Sequence, residues 1–272
     1  MLTGLNEAFV IDEETKDKLI SEDPESAELI KPFLAGKDIK RYVKPDAKKY
    51  IIMVQKGFTL QHCSSRKTAW KWFCDSYPSL GSHLQSFEAK AKKRFDQGDF
   101  WWELRACDYY QEFEKPKIIY AEIATIGQFY LDNKELFSDT TSYILISESF
   151  SLLGILNSKL WTYMFSNISS EIRGGYFRWK RQYMETLPIP EDPTDEKRKN
   201  DYLILREKIE YLVEEMLKTR DTYQNAREDF EKRMLNQKIE AIDTQIDAAV
   251  YQLYGLTADE IRIVEKSALK RQ

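Results

Sequence analysis

The run Leu187-Pro188-Ile189-Pro190-Glu191-Asp192-Pro193 divides this 272-residue chain. Proline fixes φ, removes a backbone donor and restricts the residue before it, so neither a helix nor a central strand can continue through this stretch. An extended connector is the consequence. Residues before it are rich in aromatic and β-branched types, and residues after it follow a helical period. Two parts are therefore expected: an α+β domain over 1–190 and a helical spacer or docking arm over 191–272.

In the first part, apolar and β-branched clusters predict strands at Phe9–Ile11, Tyr50–Val54, Lys117–Ile123, Gln128–Leu131 and Ser142–Ile146. Helices are expected around Lys67–Phe73, Leu80–Lys93 and Leu152–Phe165. Without a regular βαβ alternation, this mixture reads as α+β with a twisted mixed sheet. In the second part Thr194 is the expected cap, followed by Asp195 and Glu196 at the end where the helix dipole favours negative charge. Leu205, Ile209, Leu212, Val213 and Met216 form one helical stripe. Leu235, Ile239, Ile242, Ile246, Val250 and Leu253 form a second, ended by Gly255. The polar stretch Lys218–Asp229 is the expected turn between two antiparallel helices, and a short helix should run from Thr257 through Val264. Such stripes are first of all core.

With 42% apolar and 32% charged residues the chain is long enough and apolar enough for one sizeable core. No apolar run approaches the ~20 residues of a membrane span, and the first residues lack the pattern of a secretory signal. The three cysteines, Cys63, Cys74 and Cys107, are odd in number and irregularly spaced. A disulfide framework is not expected, and a reducing cytoplasm is the expected compartment.

The net charge of −4 conceals a segregation. Residues 37–94 carry 14 Lys and Arg against 4 Asp and Glu, a net +10, whereas residues 1–36 carry 3 against 9 and residues 95–140 carry 4 against 10. A basic segment in an acidic chain suits a polyanionic partner, although a solvated lysine-rich face would give the same count.

Catalytic motifs are missing. No Asn precedes any of the eight prolines. Asp23-Pro24 and Asp192-Pro193 lack the second proline and the aromatic of an amino-methyltransferase loop. There is no GxGxxG and no phosphate-binding GxxxxGK[ST]. His62 beside Cys63 has no second ligand pair for a metal. Asp46 lies far in sequence from Glu88-Ala89-Lys90, so the carboxylates and lysine of a metal-dependent nuclease are not brought together by spacing. Neither a catalytic nor a metal-binding residue is assigned.

Three clusters do combine cations with aromatics. The first, Gly36–Tyr42, contains Lys37, Lys40 and Arg41. The second, Phe100–Arg105, has Trp101, Trp102 and Leu104 as expected core and Arg105 either free or paired with Glu103 or Asp108. The third is Arg173-Gly174-Gly175-Tyr176-Phe177-Arg178-Trp179-Lys180-Arg181-Gln182-Tyr183. If 176–182 is extended, Tyr176, Arg178, Lys180 and Gln182 share one face while Phe177, Trp179 and Arg181 share the other. Cations and amides are the groups that meet phosphates and base edges. The alternative for this cluster is a loop held to the core by its aromatics.

Several phrases carry a family resemblance: Thr3–Phe9, Asp23–Ser26, Ile30–Tyr42, Phe113–Tyr120, Leu152–Leu160, Tyr183–Pro190 and Ile246–Thr257. In this order they resemble the TaqI-like C-terminal specificity domain. That is the target-recognition part of adenine-specific methyltransferases, mostly type IIG (Eco57I-like) enzymes, and it is similar to the specificity subunits of type I systems. The resemblance implies a fragment of a restriction–modification enzyme that recognises double-stranded DNA from the major groove. Its partners would be the duplex and a methyltransferase catalytic domain of the same polypeptide. That catalytic domain would bind S-adenosylmethionine, and a nuclease domain, where fused, would use Mg2+; this fragment itself is expected to hold no cofactor and to catalyse nothing.

Recognition loops differ between members of such a family, so no base contact carries over. Residues 55–112, which hold few of the matching phrases, are the expected variable surface. The DNA-binding candidates are Lys37, Lys40, Arg41, Lys56, Arg66, Lys67, Lys92, Lys93, Arg94 and Arg105, with Arg173, Tyr176, Arg178, Lys180, Arg181 and Gln182 from the third cluster. The rival reading is a protein-interaction module that docks through its C-terminal helices.

Overall fold

The computed structural model describes residues 2–133 and 136–270. At 53% helix and 15% strand the fold is α+β, weighted toward helix. Its strands are β1 (Val10–Asp12), β2 (Ile30–Leu34), β3 (Lys49–Ile52), β4 (Pro116–Ala121) and β5 (Ile123–Ala124). They continue with β6 (Phe129–Asn133), β7 (Phe137–Ser138), β8 (Ser142–Ile146), β9 (Glu171–Ile172) and β10 (Tyr176–Arg178). The helices are α1 (Asn6–Phe9), α2 (Glu13–Glu22), α3 (Phe58–His62), α4 (Ala69–Ser76), α5 (Pro78–Gln85) and α6 (Glu88–Ala91). After them come α7 (Phe150–Asn157), α8 (Lys159–Ile168), α9 (Arg181–Met184), α10 (Glu196–Asn225), α11 (Asp229–Leu253) and α12 (Ala258–Leu269).

The chain folds into two compact units. The first comprises Met1–Asp38, Asp46–Lys115 and Asn133–Thr140, and the second Ile39–Pro45, Pro116–Asp132 and Thr141–Gln272. The packing therefore does not divide at the proline connector expected near residue 190. The helices beyond it belong to the same unit as β4, β8 and β10.

In the first unit the sheet order is β1-β3-β2-β7. β3 is antiparallel to both neighbours, with Val10 opposite Ile51 and Pro32 opposite Tyr50, and β7 is parallel to β2. Strand β2 escapes sequence reading because Pro32 sits in its middle. It is tolerated because β7 pairs only with Phe33 and Leu34, so no ladder donor is demanded of Pro32 on that side. The expected helix Leu80–Lys93 is two helices, α5 and α6, separated by Ser86 and Phe87. Aromatic rings fill the core: Trp70 lies 4.6 Å from Trp101 and 4.8 Å from Trp102. Trp101, Trp102 and Leu104 are buried, as their pattern predicted.

Two buried charges hold the loops of this unit. The Glu103 carboxylate accepts hydrogen bonds from the N–H groups of Gly57 at 3.2 Å, Thr59 at 3.0 Å and Asp99 at 2.8 Å. The Arg94 guanidinium donates to the carbonyls of Thr3, Trp101 at 2.7 Å and Glu103 at 2.9 Å. It lies over the Phe9 ring at 4.1 Å, and burial lowers its pKa to about 10.

In the second unit β4 is central to the sheet β6-β4-β8, and β10 is central to β5-β10-β9. Lys117 on β4 and Asp132 on β6 form a buried ion pair. The expected helix Leu152–Phe165 is broken at Ser158, whose hydroxyl caps α8 by accepting from Trp161 N–H at 3.1 Å. Asp195 rather than Thr194 caps α10, accepting from Arg198 N–H at 3.0 Å. Helix α10 runs on through most of the stretch expected to turn, leaving 226–228 as the link to α11. Polarity there marks exposed helix, not a break, and Lys238 of α11 reaches Glu215 of α10 at 3.4 Å. A capping box at Thr257 and Glu260 starts α12.

One apolar core joins Ile118, Phe129, Leu153, Trp161, Phe165 and Trp179 to Ile209, Val213, Ile246 and Val250. Helices α7 and α10 approach closely at Gly154, where a Cβ would lie 2.6 Å from Ile209 Cγ2 and 3.0 Å from Val213 Cγ2. Tyr42, in the left-handed region at φ 60°, turns the chain so that Arg41 meets α11. Arg41 donates to Asp243 Oδ2 at 2.8 Å and to the Asn157 carbonyl at 2.8 Å. Burial disfavours the Arg41 charge, but Asp243 outweighs this and holds its pKa above the ordinary value. Asp247, one turn on, accepts from Lys159 N–H at 2.9 Å. Burial, reinforced by Asp243, raises its carboxyl from 3.8 to about 6.

Three outcomes are expected. Arg94→Ala removes the guanidinium from the carbonyls of Thr3, Trp101 and Glu103, of which Glu103 keeps the Gly98 N–H at 3.2 Å, and should cost about 2–4 kcal/mol in urea unfolding, whereas Lys93→Glu on the exposed turn should stay within about 0.5 kcal/mol. Gly154→Ala gains about 1 kcal/mol of helix propensity, but its methyl overpacks Ile209, so a net loss of about 1–3 kcal/mol is expected. At Asp247 the folded state keeps a proton that the unfolded chain has already lost, so this contribution favours folding at low pH and fades as pH rises from about 4 through 6. Stability of the parent chain relative to Asp247→Asn should fall across that window by about 1.4 kcal/mol per pKa unit; a difference independent of pH would contradict the shifted carboxyl.

Candidate nucleic-acid interface

The sixteen candidate residues divide equally between the two units. Lys37, Lys56, Arg66, Lys67, Lys92, Lys93, Arg94 and Arg105 belong to the first. Lys37 lies on the turn Gly36–Asp38 and Lys56 follows β3; both are exposed. Arg66 and Lys67 stand exposed in the loop before α4, with Arg66 3.7 Å from Asp99 and over the Phe100 ring at 5.5 Å. Helix α4 turns Trp70 and Phe73 into the aromatic core and leaves Lys71 in solvent. Lys92 and Lys93 are exposed after α6, Lys92 paired with Glu88. Arg105 is partly exposed and 3.4 Å from Asp96, neither of the two acids expected to pair with it.

Arg94 is a correction to the sequence reading. Its place beside Lys92 and Lys93 suggests a phosphate contact, yet it is 6% exposed and its donors are turned inward. A guanidinium fixed by three carbonyls has no donor arranged for a phosphate.

In the second unit the third cluster forms a hairpin. β9 and β10 pair antiparallel with Ile172 opposite Tyr176, and β10 continues onto β5 with Phe177 opposite Ala124. Arg173, Gly174 and Gly175 make the tip, the two glycines at φ 87° and 78°, a left-handed conformation that would strain a larger residue. The predicted alternation holds from Tyr176 to Trp179. Tyr176 and Arg178 are exposed, while Phe177 and Trp179 are buried, Trp179 stacked on Phe165 at 4.0 Å. It fails after Trp179, because α9 begins at Arg181 and puts Arg181 and Gln182 both in solvent. Lys180 is half-buried ahead of that helix. Arg178 lies 3.5 Å from Glu122, and Arg181 pairs with Glu185.

Arg41 is the second correction: it serves the fold of this unit through Asp243, while its neighbour Lys40 is exposed. Asn157 likewise serves the fold. Its side chain accepts from Phe129 N–H and donates to Phe129 O, at 3.1 and 3.0 Å.

Sequence reading passes over Lys48 and Lys49, which with Lys37 line a cavity of about 680 Å³ in the first unit. Asp38, Asp46 and Asp139 line it too, so its charges balance and it is not an anion site. The signal available is the lysine density of 37–94, which cannot tell a free lysine from one facing acids. Phe95 is also passed over: it is fully exposed between Arg94 and Asp96. Among the described residues no His, Cys, Asp or Glu group could hold a metal ion, and no helix is long and apolar enough to cross a membrane.

Among curated proteins none matches this sequence. Among solved structures the fold is similar to the type IIL restriction-modification enzyme MmeI, determined in complex with DNA. The identity is 15% and the TM-score 0.57, over 97% of this chain and 34% of that one. The type IIG restriction endonuclease BpuSI is more distant, at 13% identity and a TM-score of 0.42, over 90% of this chain and 28% of that one. The chain thus spans about a third of the length of these enzymes, and its likeness to MmeI is one of fold. The model of the TaqI-like C-terminal specificity domain matches residues 31–189, more than half of the chain and narrower than the resemblance read from the sequence. On that match the chain belongs to the TaqI-like C-terminal specificity domain family.

Proposed function

We propose that this chain reads a double-stranded DNA target for a larger restriction–modification methyltransferase. The observation that carries the reading is the set of exposed cations that an acidic chain concentrates in one segment of a specificity domain: Lys56, Lys67, Lys71, Lys92 and Lys93. These suit phosphate oxygens, which position a protein on the duplex without reading sequence. Base reading falls to Arg173, Tyr176 and Arg178, held on a hairpin whose inward face is anchored by Phe177 and Trp179. Adenine methylation would be the work of the rest of the polypeptide. There a catalytic domain would bind S-adenosylmethionine and draw the base out of the stack, and Mg2+ would serve a nuclease where one is fused. Residues 191–272 would form the arm against which that domain docks.

A second reading, docking of another protein through the long helices, is favoured by a different observation. Leu203, Ile204 and Tyr211 on α10 and Phe230 and Met234 on α11 are exposed apolar side chains. The two readings respond to different substitutions. Lys56→Glu with Lys67→Glu and Lys71→Glu should weaken duplex binding at least about tenfold at low salt. The same change should flatten the salt dependence, by about one unit of slope for each phosphate no longer neutralised. Ile204→Glu with Tyr211→Glu should leave both quantities unchanged. Duplex binding by the parent chain that does not respond to salt would refute the DNA reading.

A further inference from the structure

We propose that Phe95 is a wedge that inserts its ring between stacked bases of the bound duplex. The inference rests on the DNA reading above and adds to it a residue that contacts neither phosphate nor base edge.

Phe95 is 100% exposed, whereas Arg94 beside it is 6% exposed. The residues around the ring are tied down. The Arg94 guanidinium is held by the carbonyls of Thr3, Trp101 and Glu103. The Gln97 side-chain amide donates to the carbonyls of Lys92 and Arg94, and Gln97 N–H donates to Phe95 O at 3.0 Å. Lys93 N–H and Arg94 N–H donate to Lys90 O and Ala91 O at 3.0 and 3.1 Å. The turn 92–97 is thus closed on itself and anchored from beneath, with one large apolar side chain left wholly in water. An exposed phenylalanine on a loose tail would carry no meaning. On a turn fixed by this many bonds it is an apolar group whose ordering entropy is already spent before a partner arrives.

The charge beside the ring is compatible with the polyanionic partner of the DNA reading. Lys92 and Lys93 precede it and are exposed, Lys92 paired with Glu88, while the Asp96 carboxylate that follows is drawn to Arg105 at 3.4 Å. An exposed ring next to the exposed Lys93 suits a surface that offers anions outside and flat apolar faces within, and a nucleic-acid duplex is such a surface. Apolar side chains inserted at a base step unstack it, and adjacent cations take the flanking phosphates.

The test uses the whole chain and duplexes of about 30 base pairs containing 2-aminopurine, whose emission rises on unstacking, with affinity read by anisotropy across a salt series. Binding of the parent chain should brighten the 2-aminopurine. Phe95→Ala should abolish that rise and weaken binding about tenfold, with thermal stability and salt dependence unchanged, while Phe95→Trp should restore both readouts. Lys93→Glu should do the reverse, flattening the salt dependence while the emission still rises. Parent-level affinity in Phe95→Ala, or no brightening by the parent chain, overturns the wedge alone. A parent chain with no affinity for any duplex removes the DNA reading and the wedge with it. If Phe95→p-benzoylphenylalanine crosslinks to a protein partner in preference to duplex, the ring belongs to a protein interface and the proposal fails.

Discussion

The guanidinium of Arg94 takes up three backbone carbonyls in the first unit, from Thr3 near the start of the chain and from Trp101 and Glu103 in the aromatic loop. Carbonyls buried in irregular backbone have no ladder or helix to satisfy them, and leaving them bare costs more than a typical hydrogen bond contributes. One planar cation with five donors does what no neutral side chain of that size can. Around it the loop 92–105 acquires a fixed course, and Lys92, Lys93 and Phe95 acquire fixed exits into solvent. Glu103 acts with the opposite sign on the next loop, gathering the N–H groups of Gly57, Thr59 and Asp99. The charged surface of this unit is presented by loops, and a buried arginine and a buried glutamate shape those loops.

In the second unit the same logic operates on helices. Arg41 closes on Asp243 and on the carbonyl end of α7, and Lys159 lies 3.4 Å from Asp247 and 2.9 Å from Glu265. These pairs pin α11 and α12 to the start of α8. The long helices are therefore not an independent appendage. They share one core with the strands that carry the 171–178 hairpin, and that hairpin rests on the core through Phe177 and Trp179. A rigid base beneath a short, glycine-tipped hairpin fixes where its exposed side chains stand.

Much of this organisation is legible in the chain itself. Lys117–Ile123 and Ser142–Ile146 read as strands because both are dense in β-branched residues, and they pair with each other as β4 and β8. The apolar stripes through Ile209 and Ile246 mark two helices, and Trp101 and Trp102 are core by type. Pattern fails where a local rule is overridden. Pro32 hides β2, Ser158 divides a continuous apolar run into two helices, and a polar stretch expected to turn continues as α10.

The sequence by itself determined the class of fold, the segregation of charge into 37–94, the absence of a catalytic motif and membership of a specificity-domain family. These follow from composition, period and order, which are properties of the chain before it folds. Only the tertiary structure decided which cations are free. Arg94 and Arg41 lie among lysines and look like them in sequence, yet both are spent on internal partners. A guanidinium can satisfy carbonyls or a carboxylate inside a core as readily as a phosphate outside it, and which it meets depends on residues 91 and 202 positions distant from Arg94 and Arg41 respectively.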